Sequence, residues 1–293
     1  MTQDKTSNTG VPDGPVLIHA LDGFLTAGSA STLASKVMAT REDIVFEFDL
    51  DAMYDYRARR PLITFRADHY LDYREPRLTI SREKDANGTE FLLLTGPEPD
   101  FGWERFVSDV VDVIEDQNVS LTVGLGSVPM GVPHTRPSMI TAHATRPELV
   151  DRPNMWNADI TVPASAQTLL EHRLAQAGHD AIGYVVHVPH YISQHEFPPA
   201  ALALFDALTV RLGLEFDLED LRAVTPDAIG EIERQIAEQG GEDVLTSLEE
   251  QFDAFTRGAA RSLLEDDARL PSGDELAEQL ETFLARQRKD DER

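Results

Sequence analysis

The residues with the clearest chemical potential lie in the loop of residues 133–137, which reads Pro-His-Thr-Arg-Pro. Its two prolines restrict the backbone, so the imidazole of His134 and the guanidinium of Arg136 project from a stiff loop. Such a pair could bind an anion. Arg136 could equally satisfy loop carbonyl groups or a carboxylate across a subunit boundary, and we favour this structural role.

Three of the nine histidines, His187, His190 and His195, gather where a predicted strand ends, and Glu196 follows them. The ends of strands in α/β sheets commonly present ligand groups, and imidazole with carboxylate suits zinc. The prolines at 198–199 prevent the helix that a His-Glu-x-x-His site requires. Loop hydrogen bonding is therefore favoured, and a metal-dependent hydrolase stays open as an alternative.

A glycine-rich stretch from Gly124 to Gly131 follows another predicted strand. Its third glycine is misplaced for a dinucleotide fingerprint and prolines block the helix that should follow, so it predicts a tight structural loop. Asp22 could be a catalytic carboxylate, although an aspartate at this kind of position is more typical of a helix cap. An anion-binding pocket would draw on these candidate ligand-binding residues: Asp22, Ser127, His134, Arg136 and His190.

The elements that must position these residues follow an α/β pattern from Val16 to about Leu221. Helical faces recur between the strands, and Asp100 is expected to cap the helix that begins near Trp103. Asn87-Gly88 predicts a tight hairpin turn, which makes the sheet mixed. The predicted strands cover residues 16–21, 44–48, 62–65, 78–81, 91–94, 121–125 and 182–188.

Beyond residue 222 the pattern is helical and acidic. Three helices are expected here. The first starts at Thr225-Pro226 and ends at Gly240-Gly241, the second follows it, and the third starts at Ser272. The second helix carries a stripe of apolar side chains, called the seam, that is too wide to be exposed to water, so it must pack against the main domain or a neighbouring subunit. The candidate interface residues on this seam are Leu245, Leu248, Phe252 and Phe255.

Composition excludes several classes of function. The 293 residues include 52 acidic and 26 basic ones, and the net charge of −26 repels nucleic acid and anionic membranes. Cysteine is absent, which removes disulfides, thiolate zinc sites and cysteine nucleophiles. The polar N-terminus lacks the apolar core of a signal peptide and no run is long enough to span a bilayer, so a cytoplasmic protein is expected.

Several motifs, arriving in order over roughly residues 14–222, resemble the proteasome-assembly-chaperone family. They are the runs at residues 21–24 (Leu-Asp-Gly-Phe), 51–61, 94–99 (Leu-Thr-Gly-Pro-Glu-Pro), 103–106 (Trp-Glu-Arg-Phe), 133–137 and 187–191 (His-Val-Pro-His-Tyr). The last three are similar to the bacterial branch, as is the acidic helical tail. The resemblance implies a three-layer α/β/α domain with a phosphorylase/hydrolase-like fold that forms oligomers and, in other branches, helps to assemble proteasome rings. It implies no catalytic residue and no cofactor.

The sequence therefore predicts a flexible tail over residues 1–13, an α/β domain over 14–222 and an acidic helical extension over 223–293. The functional hypothesis is a non-enzymatic homo-oligomer, with a trimer favoured, that binds or chaperones other proteins, including proteasome-related ones. Relatives dock on the proteasome through a hydrophobic–tyrosine tail, whereas residues 288–293 read Arg-Lys-Asp-Asp-Glu-Arg, so docking by that route is not expected. The alternative is a hydrolase or phosphorylase-like enzyme with an anion-binding pocket.

Overall fold

The computed structural model describes residue 12 and residues 14–40, 43–152 and 159–264. The predicted N-terminal tail, apart from residue 12, and the helix expected at Ser272 lie outside these ranges. The strands are β1 (Val16–Asp22), β2 (Ile44–Glu47), β3 (Thr64–Arg66), β4 (His69–Leu71), β5 (Thr79–Lys84), β6 (Glu90–Pro97), β7 (Leu121–Met130), β8 (Ile140–Ala144) and β9 (Ala181–Pro189). The α-helices are α1 (Ala30–Met38), α2 (Leu50–Met53), α3 (Trp103–Asp116), α4 (Ala166–Ala177), α5 (Pro198–Leu212), α6 (Glu219–Gln239) and α7 (Glu242–Leu264).

Seven strands form one sheet in the order β2-β5-β6-β1-β7-β9-β8, while β3 and β4 form a separate hairpin. The centre is parallel: β1 pairs with β6 and β7, and β7 pairs with β9. Both sides are antiparallel, through the pairs β2–β5, β5–β6 and β8–β9. The mixed sheet expected from the sequence is confirmed.

Helices cover both faces of the sheet, which confirms the three-layer α/β/α class. On one face α1, α5 and α6 close a core with the alternate residues of the central strands. On the other face α2, α3 and α4 close a second core. The period-two alternation of the strands divides them between the cores, as Ile18 and Ala20 in the first core and Leu17 and Leu21 in the second show.

The expected start of the first C-terminal helix is wrong. Helix α6 begins at Glu219, and Pro226 lies inside it. The side chain of Asp217 accepts a hydrogen bond from the N–H of Glu219, and Glu219 and Asp220 place negative charge in the first turn. The hydroxyl of Thr225 donates to the carbonyl of Leu221 within the helix rather than capping it. The predicted break is confirmed, since α6 ends before Gly240, whose φ is +65°.

The chain divides into two compact units, residues 1–249 and 250–293. The seam residues Leu245 and Leu248 are half-buried within the first unit. The described part of the second unit is helical, with Phe252 half-buried and Phe255 exposed. No helix in the described ranges is long and apolar enough to cross a bilayer.

The hairpin at Asn87-Gly88 joins antiparallel strands as expected. The loop runs from Asp85 to Thr89, and the Asp85 carboxylate accepts hydrogen bonds from the N–H groups of Asn87 and Thr89. Gly88 alone in this loop has a positive φ, of +85°. An aspartate side chain therefore organises this turn.

Candidate functional site

A row of four residues crosses the centre of the sheet on the face covered by α4. His19 on β1 pairs in register with Gly124 on β7, Gly124 pairs with Gly183 on β9, and Gly183 pairs with His143 on β8. Two histidines thus flank two glycines across four neighbouring strands. The glycines leave a groove in the sheet surface because they carry no side chain.

Glu171 of α4 fills this groove. Its carboxylate binds Nε2 of His143 through Oε2, and its Oε1 lies 3.7 Å from Nε2 of His19. A Cβ atom on Gly124 would lie 2.4 Å from Oε1 of Glu171, and one on Gly183 would lie 2.3 Å from Nε2 of His143. Both positions must therefore be glycine for the carboxylate to reach the two imidazoles.

The start of α4 is held firmly, which fixes where Glu171 points. Ser165 and Thr168 form a reciprocal capping box, in which each side chain accepts from the other residue's N–H. Glu98, the residue after β6, accepts a 2.6 Å hydrogen bond from the N–H of Ala166. A carboxylate at a helix N-terminus is favourable both as an acceptor and through the helix dipole.

Glu171 and the two histidines of the row shift one another's pKa values. Burial alone would raise the pKa of Glu171, but the hydrogen bond and charge of His143 outweigh it, and the pKa of Glu171 is lowered. Burial likewise opposes the charged form of His143, and Glu171 outweighs it, so the pKa of His143 is raised. Burial lowers the pKa of His19, which has no exposed surface, and the opposing charge of Glu171 does not outweigh it. These shifts favour the charged forms of Glu171 and His143 and the neutral form of His19.

One end of the row opens to a cavity of about 310 Å³. Its walls include His143, Glu171, Thr145, Thr168 and His172. The side chain of His143 is 44% exposed, whereas that of Glu171 is 11% exposed. An imidazole backed by a buried carboxylate and facing an open cavity can take up and release a proton there.

The loop of residues 133–137 is bonded to α7 and to Tyr191, which follows β9. The hydroxyl oxygen of Tyr191 accepts from the N–H of His134 at 2.9 Å and lies 2.8 Å from its Nδ1. Arg136 lies 3.4 Å from the carboxylate of Glu249 on α7, and the Thr135 hydroxyl donates to the same carboxylate. Arg136 also donates to the carbonyl of Thr135 within the loop, and the carboxylate it meets belongs to the same chain rather than to a neighbouring subunit.

The remaining predicted ligand residues belong to other surroundings. Ser127 is buried and its hydroxyl donates to the carbonyl of Ala27 at 2.7 Å. Asp22 ends β1, and its carbonyl accepts from the N–H of Glu98. His190 is exposed, and its ring lies against that of Tyr191. Asp22 and Ser127 thus bond to other parts of the chain than the loop around His134, which bonds to Tyr191 and Glu249.

The three clustered histidines do not form a metal-binding group. Nε2 of His187 lies 2.8 Å from the Thr141 hydroxyl. Among the described residues, no group of three or more histidine and acidic side chains is arranged to hold a metal ion. Burial lowers the pKa of His187.

A second feature is an arm, residues 57–77, that contains the hairpin β3–β4. The hairpin is closed by a hydrogen bond from the N–H of Arg74 to the carbonyl of Leu62. Its large apolar side chains face solvent with exposed fractions of 48–69%; they are Leu62, Ile63, Phe65, Tyr70 and Tyr73. Such a concentration of exposed apolar side chains is characteristic of an interaction surface.

The base of the arm is anchored to the domain, and this corrects the expectation for Asp100. The carboxylate of Asp100 accepts from Arg59 at 2.8 Å and from the N–H of Asp55 at 2.6 Å. It does not cap α3, which starts after Gly102 in a left-handed conformation with φ +68°. Arg59 also stacks on the ring of Tyr54 and Arg77 pairs with Glu47, so the arm leaves the domain from a fixed stem.

The comparison with protein families decides the assignment. Residues 20–239 match the model of the PAC2 family. The chain belongs to the PAC2 family. This confirms the resemblance seen in the sequence motifs.

Several solved structures are similar to this chain over most of its length. The Mycobacterium tuberculosis protein of unknown function Rv2714 is 41% identical, with a TM-score of 0.79 and 88% of each chain covered. A Corynebacterium glutamicum protein of unknown function is 32% identical, with a TM-score of 0.78 over 87% of this chain and 96% of that one. The M. tuberculosis proteasome-assembly chaperone homologue Rv2125 is 28% identical, with a TM-score of 0.69 over 76% of this chain and 96% of that one. No curated protein matched the chain.

Neither histidine of the row, nor Glu171 in its groove, was predicted as a site residue from the sequence. One signal was present, because His19 interrupts the apolar run from Val16 to Leu21. A histidine inside a buried strand needs a polar partner. Neither the identity of that partner nor the pairing of Gly124 with Gly183 can be read from local pattern.

Proposed function

We propose that this PAC2 protein is a non-enzymatic, cytoplasmic protein-binding protein with an assembly-chaperone-like role, and that it works as a homo-oligomer, most simply a trimer. The observation that carries the proposal is the arm, which presents five large apolar side chains to solvent from a fixed stem. Family membership and the similarity to a proteasome-assembly chaperone homologue support the same class of function. Proteasome subunits are accordingly the first clients to test.

The proposal makes a prediction about mass and partners. Light scattering after gel filtration is expected to give a mass that is a multiple of 32.5 kDa, with three chains favoured. Affinity capture from the source cells is expected to enrich specific proteins, such as proteasome subunits, at least tenfold over an empty matrix. A single-chain mass at about 10 μM together with no enriched protein would remove the proposal.

An acid–base enzyme is the second candidate, and the cavity beside His143 favours it. The pair formed by His143 and Glu171 has the arrangement of a general base with a positioning carboxylate. Turnover of nitrophenyl acetate or nitrophenyl phosphate is then expected to fall about 100-fold in kcat/KM in a His143→Asn variant. Wild-type rates equal to those of buffer on both probes would exclude hydrolysis of either bond type at this cavity.

A further inference from the structure

The hairpin of the arm has few stabilising contacts of its own. β3 and β4 contain three residues each, and all but Leu71 are exposed. The rings of Phe65 and Tyr70 lie 5.2 Å apart, yet both remain largely open to solvent. A two-stranded hairpin of this size is marginally stable in water unless another surface covers it.

The arm differs in charge from the rest of the chain. Residues 57–77 contain six arginines and three acidic residues, although the chain as a whole carries −26. Arg66 and Arg74 are exposed beside the apolar residues of the hairpin. The surface that covers the arm should therefore combine negative charge with a small apolar area.

Helix α6 carries such a surface on an exposed flank. Leu221 and Ile232 are buried and mark its inward face. Four exposed acidic residues follow one stripe along its exposed flank, at spacings of seven, four and seven, and they are Asp220, Asp227, Glu231 and Glu238. Arg234 lies beside this stripe and pairs with Glu231. Val224, which is 52% exposed, lies on the same stripe between the first two.

We propose that the arm of one copy packs on the acidic stripe of α6 in a neighbouring copy. Both surfaces are exposed within a single chain, and their charges are opposite, so a second copy supplies the complement of each. The contact is heterologous because it joins two different surfaces. Repeating it forms a closed ring when the rotation from copy to copy brings the last copy back to the first. This inference rests on the proposed homo-oligomer and names the surfaces that build it.

Reversing charges on the two surfaces tests the contact. The arm variant carries Arg66→Glu and Arg74→Glu, and the stripe variant carries Asp227→Lys and Glu238→Lys, which leaves the Glu231–Arg234 pair intact. Each variant is expected to raise the concentration at which the oligomer dissociates by roughly 100-fold, because like charges then face each other. The variant with all four changes is expected to regain most of the wild-type mass.

A matched control carries Lys36→Glu and Arg105→Glu, two exposed positions outside both surfaces. It changes the net charge as the arm variant does and is expected to keep the wild-type mass. Circular dichroism checks that every variant folds. A wild-type oligomer that neither reversal weakens, or a fourfold variant that stays dissociated, overturns the arm contact and leaves the proposed oligomer standing. A single-chain wild type overturns both.

Discussion

Replacing Gly124 by alanine is expected to lower the free energy of unfolding by about 3 kcal/mol, which combines the cost of overpacking with damage to a buried ion pair. The new Cβ would lie 2.4 Å from Oε1 of Glu171 and 2.6 Å from Cε1 of His19. His19 has no exposed surface and therefore no space into which to withdraw. Thermal unfolding followed by circular dichroism should show a midpoint lower by roughly 6 °C or more.

The matched control is Gly230→Ala. Gly230 lies inside α6, and an added Cβ would meet no atom within 4 Å. Alanine at a helical position without a clash is expected to raise stability by about 0.5–1 kcal/mol. Equal melting temperatures for Gly124→Ala and wild type would show that the row is not packed as described.

Replacing Gly183, the second glycine of the row, by alanine is expected to give a smaller loss of stability. A Cβ on Gly183 would lie 2.3 Å from two atoms of His143 but 3.1 Å from Glu171. Because the His143 side chain is 44% exposed, it can swing outward and give up its bond to Glu171. Gly183→Ala should therefore cost less than Gly124→Ala, and it should cost little in a His143→Ala background. A cost that is unchanged in that background would contradict this explanation.

The layers of the fold could be predicted from the sequence because they depend on the local spacing of apolar residues. The apolar runs of β1, β7 and β9 and the helical faces of α3 and α5 each bury one set of residues, and periodicity reports that set. The hydrophobic pattern did not predict elements that are short or only weakly amphipathic. α2, β4 and β8 were not predicted.

The candidate site was harder to predict because the alignment of neighbouring strands in the sheet brings its residues together. His19 and His143 lie 124 positions apart in sequence, and both reach Glu171 only because two glycines face each other on β7 and β9. No local window contains that information. Glu171 is one of 52 acidic residues, and its burial follows from the direction in which the start of α4 is held.

Acidification should separate the two histidines of the row, because their pKa values move in opposite directions. The pKa of His19 is lowered by burial, so the unfolded chain binds this proton more readily and the folded state loses stability as pH falls below about 6.5. The groups that face His19 are Glu171 and Gln167 of α4 and His143 of β8. In a His19→Asn variant the fall in stability between pH 7.5 and 5.5 is expected to be shallower, by up to about 1.4 kcal/mol per pH unit.

His143 predicts the opposite sign. Its pKa is raised by Glu171, so its contribution is complete below about 6.5 and is lost as pH rises through the higher folded-state value. A His143→Asn variant therefore lacks a contribution that wild type gains on acidification, and its stability should fall more steeply. Unfolding by urea at a series of pH values measures both slopes against wild type.

Comparison with wild type isolates the row from other titrating groups. Burial also lowers the pKa of His134 and His187, and protonation reduces the repulsion within a chain of charge −26, but these effects are common to all three proteins. Two variants whose slopes both parallel wild type would mean that neither imidazole is coupled to folding. Opposite deviations are expected because one carboxylate serves two imidazoles: it hydrogen-bonds the half-exposed one and lies 3.7 Å from the buried one, whose desolvation it does not offset.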